Sequence, residues 1–130
     1  MGNLQQAKEY CERALDIRLK KLGPEHAAVA STYSNLGGVQ RAMGNLQQAK
    51  VYYERALHIL LKKLGPEHAD VANTYINLSV VQHDMGNLQQ AKEYHERALD
   101  IGLRKLESED IDLELTYNML GSVQNALEDQ

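Results

Sequence analysis

An eight-residue segment, MGNLQQAK, occurs three times in the chain, beginning at Met1, Met43 and Met85. The copies lie 42 residues apart, and the first two stretches of that length are identical at 31 of 42 positions. A fixed period of this size is typical of solenoid and array proteins, in which each repeat packs mainly against its neighbours. The sequence therefore predicts one domain of three repeats, 1–42, 43–84 and 85–126, followed by a tail, 127–130.

Each repeat is predicted to contain a long helix with one apolar stripe. In the middle copy the apolar residues of 46–64 recur every three or four positions, which indicates an amphipathic helix. Asn45 is expected to cap its start, and Gln48 completes a capping-box pattern. Gly65 and Pro66 are expected to end the helix, because proline cannot continue it.

A second helix follows in each repeat, and we call the long helix B and the second one helix A. Gly44, at the joint between A and B, suits the left-handed conformation that ends a helix. The recurrence of His26 and His68 in the joint GPEH favours a role at the start of helix A. The prediction is an all-α solenoid of six helices in the order B, A, B, A, B, A. Their predicted ranges are 3–22, 25–42, 45–64, 67–84, 87–106 and 109–126.

Charge and composition exclude several classes of partner. The net charge is −4 and no basic tract is present, so nucleic acid is not expected as a partner. The apolar runs are too short to cross a membrane and no signal peptide opens the chain, so no membrane association is expected. The single cysteine, Cys11, excludes an internal disulfide and indicates a reducing, cytoplasmic setting.

No pattern of catalytic or metal-binding residues is visible. None of the five histidines is paired at the four-residue helical spacing that favours metal ligation. Cys11 is best explained as a packed thiol, since no recurring base stands near it. Glu93 and Arg97 have the spacing of a helical ion pair. We therefore expect no enzyme activity, no metal site and no cofactor.

The small and large residues of the unit 29–62 form a recognisable set: Tyr33, Leu36, Gly37, Gly44, Leu46, Ala49, Tyr53 and Ala56. This set resembles the tetratricopeptide repeat. The period exceeds the usual repeat of about 34 residues, and with LGPEHADVANTY and ERALHI it resembles the subtype of kinesin light chains and nephrocystin-like proteins. The resemblance implies a right-handed α-α superhelix whose A helices line a concave peptide-binding groove. Gln40, Gln82 and Gln124 depart from the pattern, because an aromatic residue is common at their position.

The copies differ along one face of helix A, which we call the variable face. Its residues are spaced three and four apart, whereas Thr32, Tyr33, Leu36 and Val39 recur and face elsewhere. The variable face comprises Ser31, Ser34, Gly38, Arg41, Asn73, Ile76, Val80, His83, Leu115, Asn118, Ser122 and Asn125. Such a face is either plain solvent surface or a recognition surface, and the family resemblance places it on the concave groove.

The chemistry of the variable face predicts the type of ligand. Asn35 and Asn77, beside the face, each offer a donor and an acceptor to a peptide backbone. Ile76 and Val80 are apolar, and Arg41 is the only permanent cation. We expect a protein or peptide partner with apolar anchors and little net charge.

The alternative is self-association, as a homodimer through the exposed terminal helices of a larger repeat protein. The apolar residues of the first helix carry this alternative, because no helix A precedes them in the sequence. These residues are Leu4, Ala7, Ala14 and Leu15.

Overall fold

The computed structural model describes residues 3–109, 118, 121–122 and 124–125, and the regular elements defined among them are α-helices. Five helices are defined: α1 (Asn3–Leu22), α2 (Ala27–Ala42), α3 (Leu46–Leu64), α4 (Ala69–Asp84) and α5 (Leu88–Glu109). Helices α1, α3 and α5 are B helices, and α2 and α4 are A helices. The chain divides into two compact units, Met1–Pro66 and Glu67–Gln130. The assignment of the whole chain to one domain stays a prediction.

Five helices are therefore defined where six were predicted. The predicted sixth helix, 109–126, lies for most of its length outside the described residues, although its described members, including Asn118 and Gly121, are helical. The predicted end of the preceding helix at 106 is wrong, because α5 continues to Glu109. The reason is local: Glu107 and Ser108 replace the Gly–Pro pair that ends α3, so nothing in the backbone stops the helix there.

The starts of the A helices confirm the predicted role of the two histidines. His26 is the N-cap of α2, and its Nδ1 accepts a hydrogen bond from the backbone N–H of Ala28 at 3.0 Å. His68 caps α4 in the same way through the N–H of Asp70, also at 3.0 Å. Each imidazole thus satisfies one of the backbone donors that a helix start leaves unpaired.

The predicted capping box at Asn45 is wrong. Asn45 makes no side-chain cap to α3, and its Nδ2 instead donates to Oε1 of Gln40 at 2.8 Å. Asn87 and Gln82 repeat this bond at the same distance in the second unit. Gln40 and Gln82 are buried, so the bond satisfies a polar side chain that burial would otherwise penalise. Gly44 adopts the left-handed conformation expected at this joint, with φ of 84°.

The core of each unit lies between an A helix and the B helix that follows it. In the first unit Leu36 of α2 and Ala49 and Ala56 of α3 are fully buried. In the second unit the core contains Leu78 of α4 and Ala91 of α5, which are also fully buried. Small residues on the B helices allow the two helices of a pair to approach closely.

None of the helices in the described part of the chain is both long enough and apolar enough to span a membrane.

Candidate peptide-binding face

The variable face of α2 is turned away from the core. Ser31, Gly38 and Arg41 are exposed, and Ser34 is half-buried. Asn35, beside them, is also exposed. The recurring residues of the same helix have the opposite placement. Thr32 and Leu36 are buried, and Tyr33 and Val39 are half-buried.

The variable face of α4 is less polar and less open. Asn73 and Ile76 are exposed, whereas Val80 and His83 are half-buried, as is Asn77 beside them. Ile76 is 38% exposed, which makes it the most exposed large apolar side chain of the described part of the second unit. This helix therefore presents an apolar centre between amide groups.

The third set of predicted residues is described only in part. Asn118, Ser122 and Asn125 are helical and exposed, and Leu115 lies outside the described residues. No described member of the predicted binding set is a buried core residue. The recognition role of the set stays a prediction, since a solvent face would show the same exposure.

The buried side chain of Tyr53 packs against α2 next to the variable face. Tyr53 of α3 is 5% exposed, and its ring lies against Gly37, where an added Cβ would be 2.7 Å from Cε1 of the ring. Its hydroxyl lies at the edge of the variable face, where a Cβ at Gly38 would be 3.5 Å from Oη. Burial raises the pKa of Tyr53, and the positive charge of Arg41 opposes that rise. The phenol therefore remains a neutral hydroxyl beside the face at physiological pH.

The second unit has a different pair at the equivalent positions. Ser79 is buried where Gly37 stands in α2, and His95 is half-buried where Tyr53 stands in α3. Burial lowers the pKa of His95, because the charged imidazolium loses solvation. The larger residue on the A helix thus accompanies the smaller ring on the B helix, which keeps the combined volume of the pair similar.

A cluster of two tyrosines and one arginine recurs in both units. Tyr33 and Tyr52 stack with ring centroids 6.0 Å apart, and the guanidinium of Arg55 lies 5.7 Å and 5.8 Å from the two centroids. Tyr75, Tyr94 and Arg97 form the same arrangement in the second unit, with the rings 5.9 Å apart. Each cluster fastens an A helix to the next B helix through stacking and cation–π attraction.

The guanidinium of Arg97 accordingly lies over these rings, and not against Glu93 as the four-residue spacing predicted. The Glu93 carboxylate accepts a hydrogen bond from Nε2 of Gln89 at 3.5 Å. The contact with two aromatic faces is the stronger attraction for a planar, weakly hydrated guanidinium.

Comparison with known proteins decides the family. The family model described as "Tetratricopeptide repeat" matches residues 1–62, 32–104 and 70–130. The chain belongs to the tetratricopeptide repeat family. The predicted resemblance, including its kinesin-light-chain-like character, is confirmed.

Two solved structures show how far the similarity extends. BtubC (BKLC) from P. vanneervenii is 31% identical, with a TM-score of 0.83 over 98% of this chain and 51% of its own. A putative kinesin light chain from P. anserina, with nearly identical tetratricopeptide-like repeats, is 25% identical, with a TM-score of 0.75 over 98% of this chain and 64% of its own. The chain thus has an all-helical, tetratricopeptide-like solenoid fold, and it spans about half to two thirds of these relatives. A search of the curated proteins found no match.

Membership of the tetratricopeptide family gives a general role in protein–protein interaction.

Charged groups near the helix joints have structural partners: Lys62 bonds Glu25 at 2.8 Å and Arg104 pairs with Glu67. The hydrogen bond from Lys62, reinforced by its charge, lowers the pKa of Glu25. Within the described residues no group of three His, Cys, Asp or Glu side chains is placed to hold a metal ion.

Sequence reasoning missed three features of these tetratricopeptide units, although the repeat itself carried a signal for each. The Gln–Asn bond recurs at a 42-residue shift, as does the tyrosine–arginine cluster. The Gly37–Tyr53 contact is signalled by the joint change to Ser79 and His95. In the part of the chain that the structure describes, Nε2 of His83 is buried and has no hydrogen-bond partner.

Proposed function

We propose that the chain is a non-catalytic scaffold that binds a peptide segment of a partner protein on the variable faces of its A helices. The observation that carries the proposal is the exposure of Ile76, at 38%, on the variable face of α4, between the amides of Asn73 and Asn77. An apolar side chain surrounded by adaptable hydrogen-bonding groups suits a peptide that is anchored by one or two apolar residues.

Two amides support recognition of a peptide backbone. Asn35 is exposed on α2, and Asn77 is half-buried at the equivalent position on α4. Each side chain offers a donor and an acceptor, as a peptide bond requires. Binding of a peptide backbone by these two amides would assign the general protein-interaction role of the family to the variable faces of this chain.

The charges of the face disfavour a strongly acidic ligand. Arg41 is the only permanently charged residue among the predicted binding residues, and the phenol of Tyr53 beside it is neutral. A peptide with many carboxylates would lose hydration without enough cations to replace it. The ligand is therefore a peptide of little net charge, and the expected cytoplasmic location stays a prediction.

Selection from a phage-displayed peptide library tests the proposal. Wild-type chain is the bait, and the Ile76→Asp/Val80→Asp variant, shown to be helical by circular dichroism, is the counter-bait. We expect enrichment of peptides with apolar anchors, and binding of a selected synthetic peptide should weaken at least tenfold in the variant.

Substitution of the amides adds a finer test. Asn35→Ala and Asn77→Ala should each weaken binding about 2–10-fold, which corresponds to the 0.5–1.5 kcal/mol of one hydrogen bond. Ile17→Asp on α1 is the matched control and should leave peptide affinity unchanged. Peptides that bind wild type and the double variant equally would refute the proposed surface.

A further inference from the structure

Tyr53 carries a hydroxyl group that the first unit leaves without a hydrogen bond. Its side chain is 5% exposed, and a hydroxyl so deeply placed is normally paired, because an unpaired polar group that is shielded from water costs stability. No residue of 3–66, all of which the structure describes, bonds to Oη of Tyr53. Within the described residues, the shielded side-chain N or O atom without a partner is Nε2 of His83, so Oη of Tyr53 is still reached by solvent.

The hydroxyl lies at the variable face of α2, where Gly38 leaves room beside it. Gly38 is exposed, and a Cβ built there would be 3.5 Å from Oη of Tyr53. Apart from the neighbours of Gly38 in its own helix, no other described atom would lie within 4 Å of that Cβ. An acceptor atom of a ligand can therefore come to about 2.8 Å from Oη, which is the usual length of such a bond. Glycine is the residue that permits this close an approach to a helix backbone.

The surroundings of the hydroxyl favour an uncharged acceptor. Burial raises the pKa of Tyr53, so the phenol keeps its proton and can donate it to a hydrogen bond. The positive charge of Arg41 acts on the same group and favours an oxygen that carries partial negative charge. A backbone carbonyl of a peptide meets both conditions, and it can lie against a helix only where no side chain intervenes.

The second unit lacks this opening. A shift of 42 residues puts Val80 at the position of Gly38, and Val80 is half-buried. The same shift puts His95, a shorter side chain without a hydroxyl, at the position of Tyr53. Ile76, one turn before Val80, is 38% exposed. The variable face therefore offers a hydrogen-bond donor on α2 and an apolar contact on α4.

We propose that Tyr53 is a peptide-binding residue, whose hydroxyl donates a hydrogen bond past Gly38 to a backbone carbonyl of the bound peptide. The first unit holds the peptide by its backbone, and the apolar anchor of the peptide contacts Ile76 in the second unit. This inference rests on the proposed peptide-binding function. It adds a residue of a B helix to a surface that otherwise consists of A-helix residues.

Removal of the hydroxyl tests its lack of an internal partner without any ligand. Tyr53→Phe keeps the ring against Gly37 and removes only Oη. The urea midpoint of this variant should equal or exceed that of wild type, because no hydrogen bond inside the protein is lost. A clear fall in the midpoint would show that the hydroxyl is bonded internally and would overturn the proposal.

Binding of the synthetic peptide most enriched by selection on wild type tests the contact itself. Tyr53→Phe should weaken binding about 2–10-fold, as expected for one hydrogen bond, whereas Tyr10→Phe on α1 should leave it unchanged. Gly38→Ala should weaken binding at least as much as Tyr53→Phe, because its methyl group takes the place of the ligand atom. Adding Tyr53→Phe to Gly38→Ala should cause no further loss, since both changes remove the same bond. Gly102→Ala on α5, where an added Cβ meets nothing within 4 Å, is the control for the glycine change.

A thioamide scan of the same peptide identifies the acceptor. Sulfur replaces one backbone carbonyl oxygen at a time and accepts hydrogen bonds more weakly. Replacement at one position should weaken binding to wild type and should have no effect on binding to Tyr53→Phe. A scan without such a position would overturn the proposal.

The double variant Ile76→Asp/Val80→Asp separates this inference from the proposed function. If that variant loses the peptide while Tyr53→Phe and Gly38→Ala bind it as tightly as wild type, the role of Tyr53 is refuted and the binding face stands. A selection that returns no peptide, or a peptide that wild type and the double variant bind equally, refutes the proposed function and this inference with it.

Discussion

Two neighbouring glycines of α2 should respond in opposite directions to the same substitution. Alanine favours a helix interior by about 0.5–1 kcal/mol over glycine, since glycine loses more backbone freedom on folding. At Gly38 the added Cβ would lie 3.5 Å from the Tyr53 hydroxyl, which is an ordinary contact. Gly38→Ala should therefore stabilise the protein by about 0.5–1 kcal/mol.

At Gly37 the same methyl group would collide with a buried ring. It would lie 2.7, 2.9 and 2.9 Å from three carbon atoms of Tyr53. The ring is only 5% exposed, so it can move aside only by disturbing the core. Overpacking of this kind costs about 1–3 kcal/mol. After the helix gain is subtracted, Gly37→Ala should destabilise the protein by about 0.5–2 kcal/mol.

Urea unfolding followed by circular dichroism measures both free energies of unfolding. A compensating pair then tests the cause. Gly37→Ser with Tyr53→His recreates the Ser79–His95 combination, and the double variant should lose less stability than the two single variants added together. If Gly37→Ala proves as stabilising as Gly38→Ala, the close packing of the ring against this helix is refuted.

Three further predictions concern local bonds. His26→Ala should cost about 1 kcal/mol of unfolding free energy because it removes an N-cap, whereas His26→Ser should cost less because serine restores the acceptor; urea titration distinguishes them. Asn87→Ala should cost about 1–3 kcal/mol of unfolding free energy, because the buried Oε1 of Gln82 loses its hydrogen-bond donor. Asn87→Asp should cost less, because the Gln82 amide can rotate so that its NH2 group donates to the new carboxylate. Since burial lowers the pKa of His95, the unfolded chain binds more protons just below the ordinary histidine value of about 6.5. The histidine contribution to stability is therefore complete above that pH and falls as the pH drops towards the lowered value. His95→Gln should reduce this fall, and an equal fall in the variant would exclude His95 as its source.

Local features of the chain were predictable because they depend on nearby residues and on the period. The positive φ of Gly44 and the histidine caps follow from backbone groups within one or two residues of the side chain concerned. The apolar period also separated the buried Thr32 and Leu36 from the exposed Ser31 and Arg41, because helical geometry fixes which residues share a face. The close similarity of the repeats makes the family recognisable from the sequence alone.

Boundary errors arose where the third copy departs from the first two. The Gly–Pro pair that ends α3 is absent after α5, and the helix continues to Glu109. The repeat suggested a joint at that point, but the local residues decided otherwise. A helix ends where residues such as Gly–Pro interrupt its backbone hydrogen bonds, and not at the position where the other repeats end.

Side-chain partners across helices were decided by the tertiary structure alone. Asn45 had every local property of a cap, yet its amide bonds to Gln40, whose buried oxygen needed a donor. Arg97 had a suitable acid one turn away, yet it lies over two tyrosines from different helices. Sequence fixes the period, the caps and the exposed faces because these are properties of one helix. Partners are chosen only when two helices meet, because burial then penalises every polar group that is left unpaired and rewards whichever contact lies within reach.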